Sequence, residues 1–359
     1  MAVIEADVLK ALAAVKDPDL GRDIVALGFI RHLVIAGGNV SFALELTTPA
    51  CPVKDQLKAD AERVVAALPG VASVAVTMES RVRPMTAASR PGFLTGVRNV
   101  IPIASGKGGV GKSTVSANLA LALSMSGARV GLLDLDVYGP SIPAIMGATE
   151  PPTTESDLLI PPEVHGIRIM SMAFFMKAEE ATIFRGPMLH KVVEQFLTQV
   201  RWGELDYLIV DFPPGTGDVQ LSMCQLIPLT GAVIVSTPQD VAMNVAQKAI
   251  TMFDKLRVPV LGVVENMSYF VCPHCEHRED IFGHGGAKAA AEKAGLPFLG
   301  EIPLATPVRE TADHGAPIVV SNTASPLAKA FFVIARALAA QVSIRNMGAE
   351  SGREIAVSF

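Results

Sequence analysis

The sequence predicts an α/β protein in which a mostly parallel sheet, covered by helices on both faces, follows a small α+β domain. Three observations lead to this prediction. A chain of 359 residues favours two domains. From residue 99 onward, continuous apolar runs alternate with helical stretches, which is typical of a buried parallel sheet. Half of the residues are hydrophobic but only 5% are aromatic, and this composition suits strands that are rich in Ala, Val and Leu.

Residues 1–80 form the predicted small domain. Apolar residues from Val8 to Val15 recur at helical spacing, and a second helix is predicted at about 53–68. Strand-like runs surround that helix, and Gly37-Gly38-Asn39 is a strong hairpin turn between the first two. The predicted strands are Ile30–Ile35, Val40–Leu46 and Val71–Met78.

Residues 81–98 contain arginines, prolines and glycines without periodicity, and they are predicted to link the two domains. The larger domain is predicted at residues 99–343, followed by a polar tail at 344–359. Its predicted strands are Val100–Ala104, Val130–Leu135, Ile167–Met170, Tyr207–Val210, Ala232–Ser236, Val260–Val264 and Phe298–Ile302.

The overall composition disfavours several classes of protein. A formal charge of -5 argues against a general nucleic-acid binder. The apolar runs are shorter than a membrane span requires, and the acidic N-terminus lacks the pattern of a signal peptide. Four cysteines are too few for a disulfide framework. We therefore expect a cytoplasmic protein that binds neither nucleic acid nor membrane.

A phosphate-binding loop carries the most specific motif of the chain. Gly106-x4-Gly111-Lys112-Ser113 follows a predicted strand and precedes a predicted helix, Val115–Met125. Glycines let main-chain N–H groups converge on a phosphate, and the helix N-terminus adds its dipole. Lys112 is predicted to reach the β- and γ-phosphates, and the Ser113 hydroxyl to ligate Mg²⁺. The predicted nucleotide-binding residues of the loop are Gly106, Gly108, Gly109, Val110, Gly111, Lys112, Ser113 and Thr114.

An additional lysine, Lys107, lies inside this loop. The pattern G-K-G-G-V-G-K-S resembles the deviant Walker A motif of the MinD, ParA and nitrogenase iron protein class. This resemblance implies a P-loop NTPase domain and a homodimer in which Lys107 reaches the nucleotide of the partner subunit and assists catalysis.

Acidic residues follow two of the predicted strands. Because the carboxyl ends of parallel strands meet at one edge of a sheet, these residues should lie beside the phosphate loop. Asp211 is predicted to hold Mg²⁺ through its water shell, with Asp134 supporting that shell. Asp136 is the candidate for orienting the attacking water. In related ATPases an asparagine at the position of Asn266 contacts adenine, and the chain lacks the N-K-x-D guanine motif, so ATP is the predicted nucleotide.

Cys272 and Cys275 form a Cys-x-x-Cys pair, which supplies half of a four-ligand metal site. Three interpretations follow from the residues. One is a structural zinc site that uses nearby histidines (His274, His277 or His284), and another is a thioredoxin-like redox pair. The third is a metal or iron–sulfur centre that bridges a two-fold dimer, because the symmetry axis doubles every ligand.

The motifs together resemble the Mrp/ApbC (NBP) family of iron–sulfur cluster carrier ATPases. The residues that carry this resemblance include D-L-D-V-Y-G-P-S, D-F-P-P-G-T-G-D, E-N-M-S-Y-F-x-C-P-x-C and I-F-G-x-G-G. The resemblance implies that Cys272 and Cys275, with the same residues of a second copy, hold a labile [4Fe–4S] cluster. It also implies delivery to apo-proteins, contact with scaffold proteins, and ATP and Mg²⁺ as cofactors.

Two rival functions remain at this point. A MinD/ParA-like positioning ATPase with a structural zinc site would need a membrane helix or a basic face, and neither is evident. An electron donor like the nitrogenase iron protein would have two distant cluster cysteines instead of an adjacent pair.

The small domain resembles the metal–sulfur cluster assembly factor domain that precedes the ATPase in many bacterial members. Asp17-Pro-Asp-Leu-Gly21 and Thr47-Thr-Pro-Ala-Cys51-Pro52 carry this resemblance. Cys51 lies at a predicted strand-to-helix turn, where a helix N-terminus could lower the pKa of its thiol. A role in cluster transfer and a merely structural thiol both remain open. Arg185 matches a segment of the family, but no role follows for it.

Overall fold

The computed structural model describes residues 3–85, 92–137, 139–176, 186–215 and 217–350. The chain divides into two units. One comprises Met1–Arg83 together with Ser343–Phe359, and the other comprises Pro84–Val342. Tyr138, Arg185 and Thr216, residues 86–91 of the predicted linker and residues 351–359 of the predicted tail lie outside the described residues.

The smaller unit is an α+β layer in which helix α2 covers a three-stranded sheet of order β3-β4-β5. Strands β3 and β4 are antiparallel, whereas β4 and β5 are parallel. Leu57, Ala61 and Val65 recur every four residues along α2 and are buried on the same side. The elements of this unit are α1 (Glu5–Leu12), β1 (Lys16–Asp17), β2 (Arg22–Asp23), β3 (Ile30–Ala36), β4 (Asn39–Leu46), α2 (Lys54–Ala66) and β5 (Ser73–Ser80).

Helix α1 ends at Leu12, earlier than the apolar spacing predicted. Lys16–Asp17 instead pairs with Arg22–Asp23 in a short antiparallel ladder. The Asp17 carboxylate accepts hydrogen bonds from the main-chain N–H groups of Asp19 and Leu20, at 2.9 and 3.0 Å. Asp17 therefore stabilises a turn where the sequence suggested the end of a helix.

The predicted polar tail begins as helix. Residues 343–350 are the last turns of a long C-terminal helix, and Ile344 and Met347 pack in the core of the smaller unit. Polar residues dominate the composition of this segment, but two apolar side chains three residues apart suffice to bury one of its faces.

The larger unit contains a nine-stranded sheet of order β10-β11-β7-β12-β6-β13-β14-β15, with β16 paired to β14. Six of the strand pairings are parallel, and only the pairings of β10 and β15 are antiparallel. This confirms the predicted mostly parallel sheet. Its strands are β6 (Val100–Ala104), β7 (Val130–Asp134), β8 (Thr153–Glu155), β9 (Leu158–Ile160), β10 (Glu163–Val164), β11 (Ile167–Ser171), β12 (Tyr207–Asp211), β13 (Ala232–Ser236), β14 (Val260–Val271), β15 (Arg278–Glu279) and β16 (Phe298–Leu304), of which β8 and β9 form a separate hairpin.

The helices of this unit connect the strands and cover the sheet. They are α3 (Lys112–Met125), α4 (Ile142–Met146), α5 (Gly186–Thr198), α6 (Asp218–Leu226), α7 (Asp240–Lys255), α8 (Gly286–Lys293), α9 (Thr306–Asp313), α10 (Ile318–Ser321) and α11 (Pro326–Glu350), the last of which continues into the smaller unit. Strand β6 lies between β12 and β13 in the sheet. The strands of this sheet that come next in the chain, β7 and β10 to β12, lie on one side of β6, and β13 and the strands after it lie on the other side. Such a reversal opens a crevice at the carboxyl ends of the strands, where ligands bind in open α/β sheets.

Two segments differ from the sequence-based expectation. Residues 92–98, predicted as linker, pack in the larger unit: Leu94 is buried and its N–H donates to the Leu197 carbonyl. Strand β14 continues to Val271, seven residues beyond its predicted end at Val264. Its polar residues Glu265, Asn266 and Ser268 are buried with hydrogen-bond partners, a situation that hydropathy alone does not indicate.

The segment Pro326–Gly348 within α11 is long and apolar enough, by length and composition, to cross a membrane. More than half of its most apolar window, 56%, is buried inside the protein, as in the core helix of a soluble domain.

Candidate nucleotide and cysteine sites

The phosphate-binding loop connects the fully buried strand β6 to helix α3. Gly109 and Gly111 have φ values of +78° and +76°, which side chains rarely adopt. A Cβ at Gly111 would also collide with the side-chain amide of Asn266. Helix α3 begins at Lys112, close to the start predicted at Ser113 or Thr114, and the N–H groups of its first turn have no partner within the helix. These features fit the binding of a nucleotide phosphate.

Asp211 is at the centre of the acidic side of this site. It ends β12 and is fully buried, and its Oδ2 lies 2.7 Å from the Lys112 Nζ. The Ser113 hydroxyl donates to the same oxygen at 2.6 Å. The Ser116 hydroxyl, one helical turn further along α3, donates to Oδ1 at 2.6 Å. Carboxylate and hydroxyl oxygens are ligands that Mg²⁺ prefers, so Asp211 and Ser113 fit the predicted metal.

Asp134 ends the neighbouring strand β7, and Asp136 lies on the loop that follows it. Asp136 lies 3.5 Å from the Lys112 Nζ. The Asp134 carboxylate accepts hydrogen bonds from the main-chain N–H groups of Asp136 and Ile142, and from the Ser171 hydroxyl. Burial and the nearby Asp211 carboxylate raise the pKa of Asp134 to about 7. Asp134 therefore fixes the loop that presents Asp136, and its support of the metal shell stays a prediction.

Lys107 extends from the same loop to Gln239, whose side-chain oxygen accepts a hydrogen bond from Nζ at 2.9 Å. Gln239 precedes helix α7 at the end of the segment that follows β13. The Ser105 hydroxyl donates to the Lys107 carbonyl at 2.9 Å, and the Gly215 N–H donates to the Ser105 carbonyl. Within one protomer, the two lysines of the loop therefore have different partners: Lys112 contacts carboxylates and Lys107 contacts an amide.

Asn266 contacts the loop directly. Its side-chain N–H donates to the Val110 carbonyl at 2.8 Å, and the residue is buried. Its predicted contact with adenine stays a prediction. The observed contact shows that β14 supports the phosphate loop from the side.

The two cysteines of the pair lie on the turn of a hairpin that extends from β14. Strand β14 pairs antiparallel with β15, and the Cys272 N–H donates to the His277 carbonyl at 2.9 Å. Cys272 is partly exposed and Cys275 is exposed, whereas Cys51 and Cys224 are buried. Hydrogen bonds from the main-chain N–H groups of His274 and Cys275 lower the pKa of Cys272. This pKa shift favours the thiolate, which is the form that binds metals.

The surroundings of the pair bear on the three interpretations of the sequence. Among the described residues, no His, Asp or Glu joins the two thiols in a group of three potential ligands within 4.8 Å of one another. In this structure, the described histidines of the hairpin do not lie with the two cysteines as one compact ligand set. In thioredoxin-like proteins the first cysteine opens a helix, whereas here the pair lies between two strands.

The expectation that a helix N-terminus lowers the pKa of Cys51 is wrong. Burial raises this pKa to about 11, and it outweighs the hydrogen bond from the Val53 N–H. The carboxylates of Asp17 and Asp19 raise it further. Cys51 is therefore a protonated, buried thiol in this structure, and its role in transfer stays a prediction.

Ser116, Ser171 and Gln239 were not predicted from the sequence. Each is a common polar residue outside the motifs described above. Ser116 is four residues after Lys112, one helical turn away and on the same face, which is the signal that could have revealed it. Ser171 and Gln239 reach the site only through the order of the strands.

Comparisons with known proteins agree with this geometry. Residues 96–339 match the ParA family of NUBPL iron-transfer P-loop NTPases. The chain belongs to this family. Residues 5–77 match the family of iron–sulfur cluster assembly proteins, which confirms the resemblance of the small domain.

Individual relatives point the same way. An iron–sulfur cluster carrier protein from Deinococcus radiodurans is 50% identical over 341 residues, which cover 94% of this chain and 96% of the relative. A nucleotide-binding protein from Archaeoglobus fulgidus, solved in complex with ADP, is 40% identical with a TM-score of 0.58, over 67% of this chain and 93% of that one. The cell division ATPase MinD from Pyrococcus furiosus, 23% identical with a TM-score of 0.51 over 67% of this chain and 98% of that one, shares the fold.

Proposed function

We propose that this protein is an ATP-dependent iron–sulfur cluster carrier, which holds a labile [4Fe–4S] cluster across a homodimer and transfers it to apo-proteins. The observation that carries the proposal is the position of Cys272 and Cys275. Among the described residues they are the cysteines that are not buried, and they follow the strand whose Asn266 contacts the phosphate loop. The carriers among the relatives support the cargo.

The proposed binding and hydrolysis of ATP are supported by the lysines and carboxylates around the phosphate-binding loop. ATP would be held by the loop N–H groups and Lys112, and Mg²⁺ by Ser113 and, through water, Asp211. When bound, Mg²⁺ would neutralise charge on the phosphates. Asp136, next to Lys112, would orient the attacking water. Lys107 would contribute to the nucleotide of the second copy.

The proposed binding of the iron–sulfur cluster is supported by the incomplete ligand set that Cys272 and Cys275 provide. Two thiolates satisfy half of a [4Fe–4S] cluster, and a two-fold axis through the hairpins would supply the other half. Two apolar side chains of this region are exposed: Val271, directly before Cys272, by 44%, and Ile281, which follows β15, by 50%. Exposed apolar residues beside an unsatisfied ligand pair are typical of a surface that another chain covers.

A MinD/ParA-like positioning ATPase with a zinc site is the alternative. It shares the fold, but the family match over residues 96–339 and the 50% identical carrier favour cluster transfer. The metal test below separates the two, since zinc would bring no sulfide.

The test is anaerobic reconstitution of the full chain with iron and sulfide, followed by metal and sulfide analysis and determination of the oligomer mass. We expect four irons and four sulfides per dimer. Cys272→Ala should lose both, whereas Cys224→Ala, a matched change at a buried cysteine of the same unit, should keep both. A Cys272→Ala variant that retains iron and sulfide would overturn the proposal.

Transfer is measured separately, by mixing the loaded protein with an apo-protein that requires a [4Fe–4S] cluster. Lys112→Ala should remove the dependence of the transfer rate on ATP while leaving the cluster content unchanged. If ATP has no effect on the rate for the unmodified protein, the carrier reading survives but its ATP dependence fails.

A further inference from the structure

A second group of potential metal ligands lies at the base of the cysteine hairpin. Glu265 belongs to β14, His284 lies in the segment before α8, and Glu301 belongs to β16. One ligand atom from each of the three residues lies within 4.8 Å of the other two. We propose that these residues bind a divalent transition-metal ion through nitrogen and oxygen, at a site separate from the two thiols. This inference does not depend on the proposed cluster.

Glu265 is held in place as a ligand requires. Its side chain is fully buried, and its Oε1 accepts hydrogen bonds from the Gly285 N–H at 2.9 Å and the Ser268 hydroxyl at 2.6 Å. Its Oε2 accepts one hydrogen bond, from the Ala287 N–H at 2.7 Å. A carboxylate has about four lone-pair positions, so these three hydrogen bonds leave one position of Glu265 unoccupied. Hydrogen bonds to a ligating carboxylate fix its orientation and strengthen metal binding.

The hydrogen-bond donors around Glu265 and Glu301 do not satisfy every contact of their carboxylate oxygens. The Ser268 hydroxyl lies 2.6 Å from Glu265 and 3.0 Å from Glu301, but a hydroxyl carries a single hydrogen. One of these two oxygen–oxygen contacts therefore lacks a proton whenever both carboxylates are charged. The His284 Nε2 lies 2.8 Å from the same Glu301 oxygen. A cation between the two carboxylates removes the remaining repulsion.

The competing explanation is an ion pair beside a helix cap. In that case Glu265 only satisfies the N-terminus of α8, and a protonated His284 neutralises Glu301. Both explanations use the same contacts, but only a metal site predicts saturable binding of an ion. His284 and Glu301 have side chains that are 37% and 35% exposed, so an ion could enter from solvent.

The chemistry of the ligands selects the class of ion. One imidazole with two carboxylates suits Mn²⁺, Fe²⁺, Co²⁺ or Zn²⁺, whereas Mg²⁺ and Ca²⁺ favour sites composed of oxygen. Glu265 precedes Asn266, the contact of the phosphate loop, and His284 follows the hairpin that carries the cysteines. A bound ion would therefore tie the outgoing and returning segments of the hairpin to β16.

The site is tested with Co²⁺, whose visible absorption reports its ligands. The full chain carries Cys272→Ser and Cys275→Ser, and excess Mg²⁺ without nucleotide occupies the oxygen ligands of the phosphate site. We expect one equivalent of Co²⁺ to bind, with the weak visible bands of nitrogen and oxygen ligands. His284→Ala and Glu301→Gln should each weaken this binding at least about tenfold. Neither change touches the hydrogen bonds from Gly285 and Ala287 to Glu265.

His274→Ala is the matched control, because His274 is an exposed histidine of the same hairpin outside the cluster. It should leave Co²⁺ affinity unchanged, and bound Co²⁺ should raise the Tm of the parent but not of His284→Ala. The proposal is overturned if no Co²⁺ binds, if the His284 and Glu301 variants bind as the parent does, or if His274→Ala is the change that weakens binding.

Discussion

The contact between Lys107 and Gln239 makes a prediction about dimer formation in the presence of ATP. Within a protomer, the Gln239 side-chain oxygen holds the Lys107 Nζ at 2.9 Å, although the proposed function requires this lysine to reach a second copy. The lysine must leave Gln239 before it can do so. Gln239→Ala should therefore tighten the ATP-dependent dimer, and Gln239→Glu, which replaces the amide with a carboxylate, should weaken it.

The magnitude follows from the symmetry of the dimer. A hydrogen bond of this kind contributes about 1 kcal/mol net. A homodimer breaks two of them, which gives about 2 kcal/mol, or up to about 30-fold in the dissociation constant. A partly exposed ion pair adds up to about 1 kcal/mol per site, so Gln239→Glu should shift the constant in the opposite direction by a similar factor.

The assay is specific ATPase activity against protein concentration, with the oligomer mass measured under the same conditions. The concentration at half-maximal activity should fall for Gln239→Ala and rise for Gln239→Glu. Lys107→Ala serves as the reference, because in that background the Gln239 variants should no longer differ. If both Gln239 variants shift the midpoint in the same direction, or if they still differ without Lys107, the reasoning is refuted.

Three further predictions concern the buried carboxylates and the thiols. Ser116→Ala removes a 2.6 Å hydrogen bond to Asp211, so the Mg²⁺ concentration at half-maximal ATPase activity should rise roughly tenfold. If this concentration is unchanged, Ser113 and Lys112 alone position the Asp211 carboxylate. Alkylation of the native, metal-free protein, mapped by mass spectrometry, should modify Cys272 before Cys51 and Cys224. Main-chain hydrogen bonds lower the pKa of Cys272, whereas burial raises the pKa of Cys51 to about 11 and that of Cys224 to about 12. Equal rates for all three thiols would contradict this order. The pKa of Asp134 is raised from 3.8 to about 7, so the folded, metal-free protein binds this proton more tightly than the unfolded chain does. The contribution of Asp134 to the free energy of unfolding should therefore be full below about pH 3.8 and lost as the pH rises through about 7. Urea titrations at several pH values should show that Asp134→Asn reduces this dependence of the free energy of unfolding on pH.

Continuous apolar strands are the part of the fold that the sequence predicts best. The predicted bounds Val100–Ala104 and Ala232–Ser236 are those of β6 and β13. These strands are buried on both faces, so their positions are apolar up to the first serine, which is Ser105 directly after β6 and Ser236 as the last residue of β13. The same rule places the acidic residues Asp134 and Asp211 at strand ends, which is why the nucleotide site was predictable.

The rule fails where buried polar residues continue a strand. In β14, Glu265 and Asn266 indicate an end, yet both are buried because the loop before α8 and the phosphate loop supply their partners. Those partners lie 20 and 156 residues away in the chain, at distances that no local pattern records. Cys51 fails for a related reason: a helix follows it, as expected, but the depth of burial that sets its pKa depends on the packing of the whole smaller unit.

Strand β14 is where nucleotide and cysteine chemistry meet. Asn266 touches the phosphate loop, and Cys272 follows the last residue of the strand. The intervening segment is irregular after Asn266: Met267 has a φ of +57°, and the register with β16 shifts there. This segment pairs with β16 at Asn266 and again at Phe270, and with β15 at Phe270 and Val271. Asn266 is therefore the residue through which β14 contacts the phosphate loop, six residues before Cys272. The returning end of the hairpin is in turn anchored to Glu265, the residue before Asn266, so both ends of the hairpin are connected to the same point of the strand.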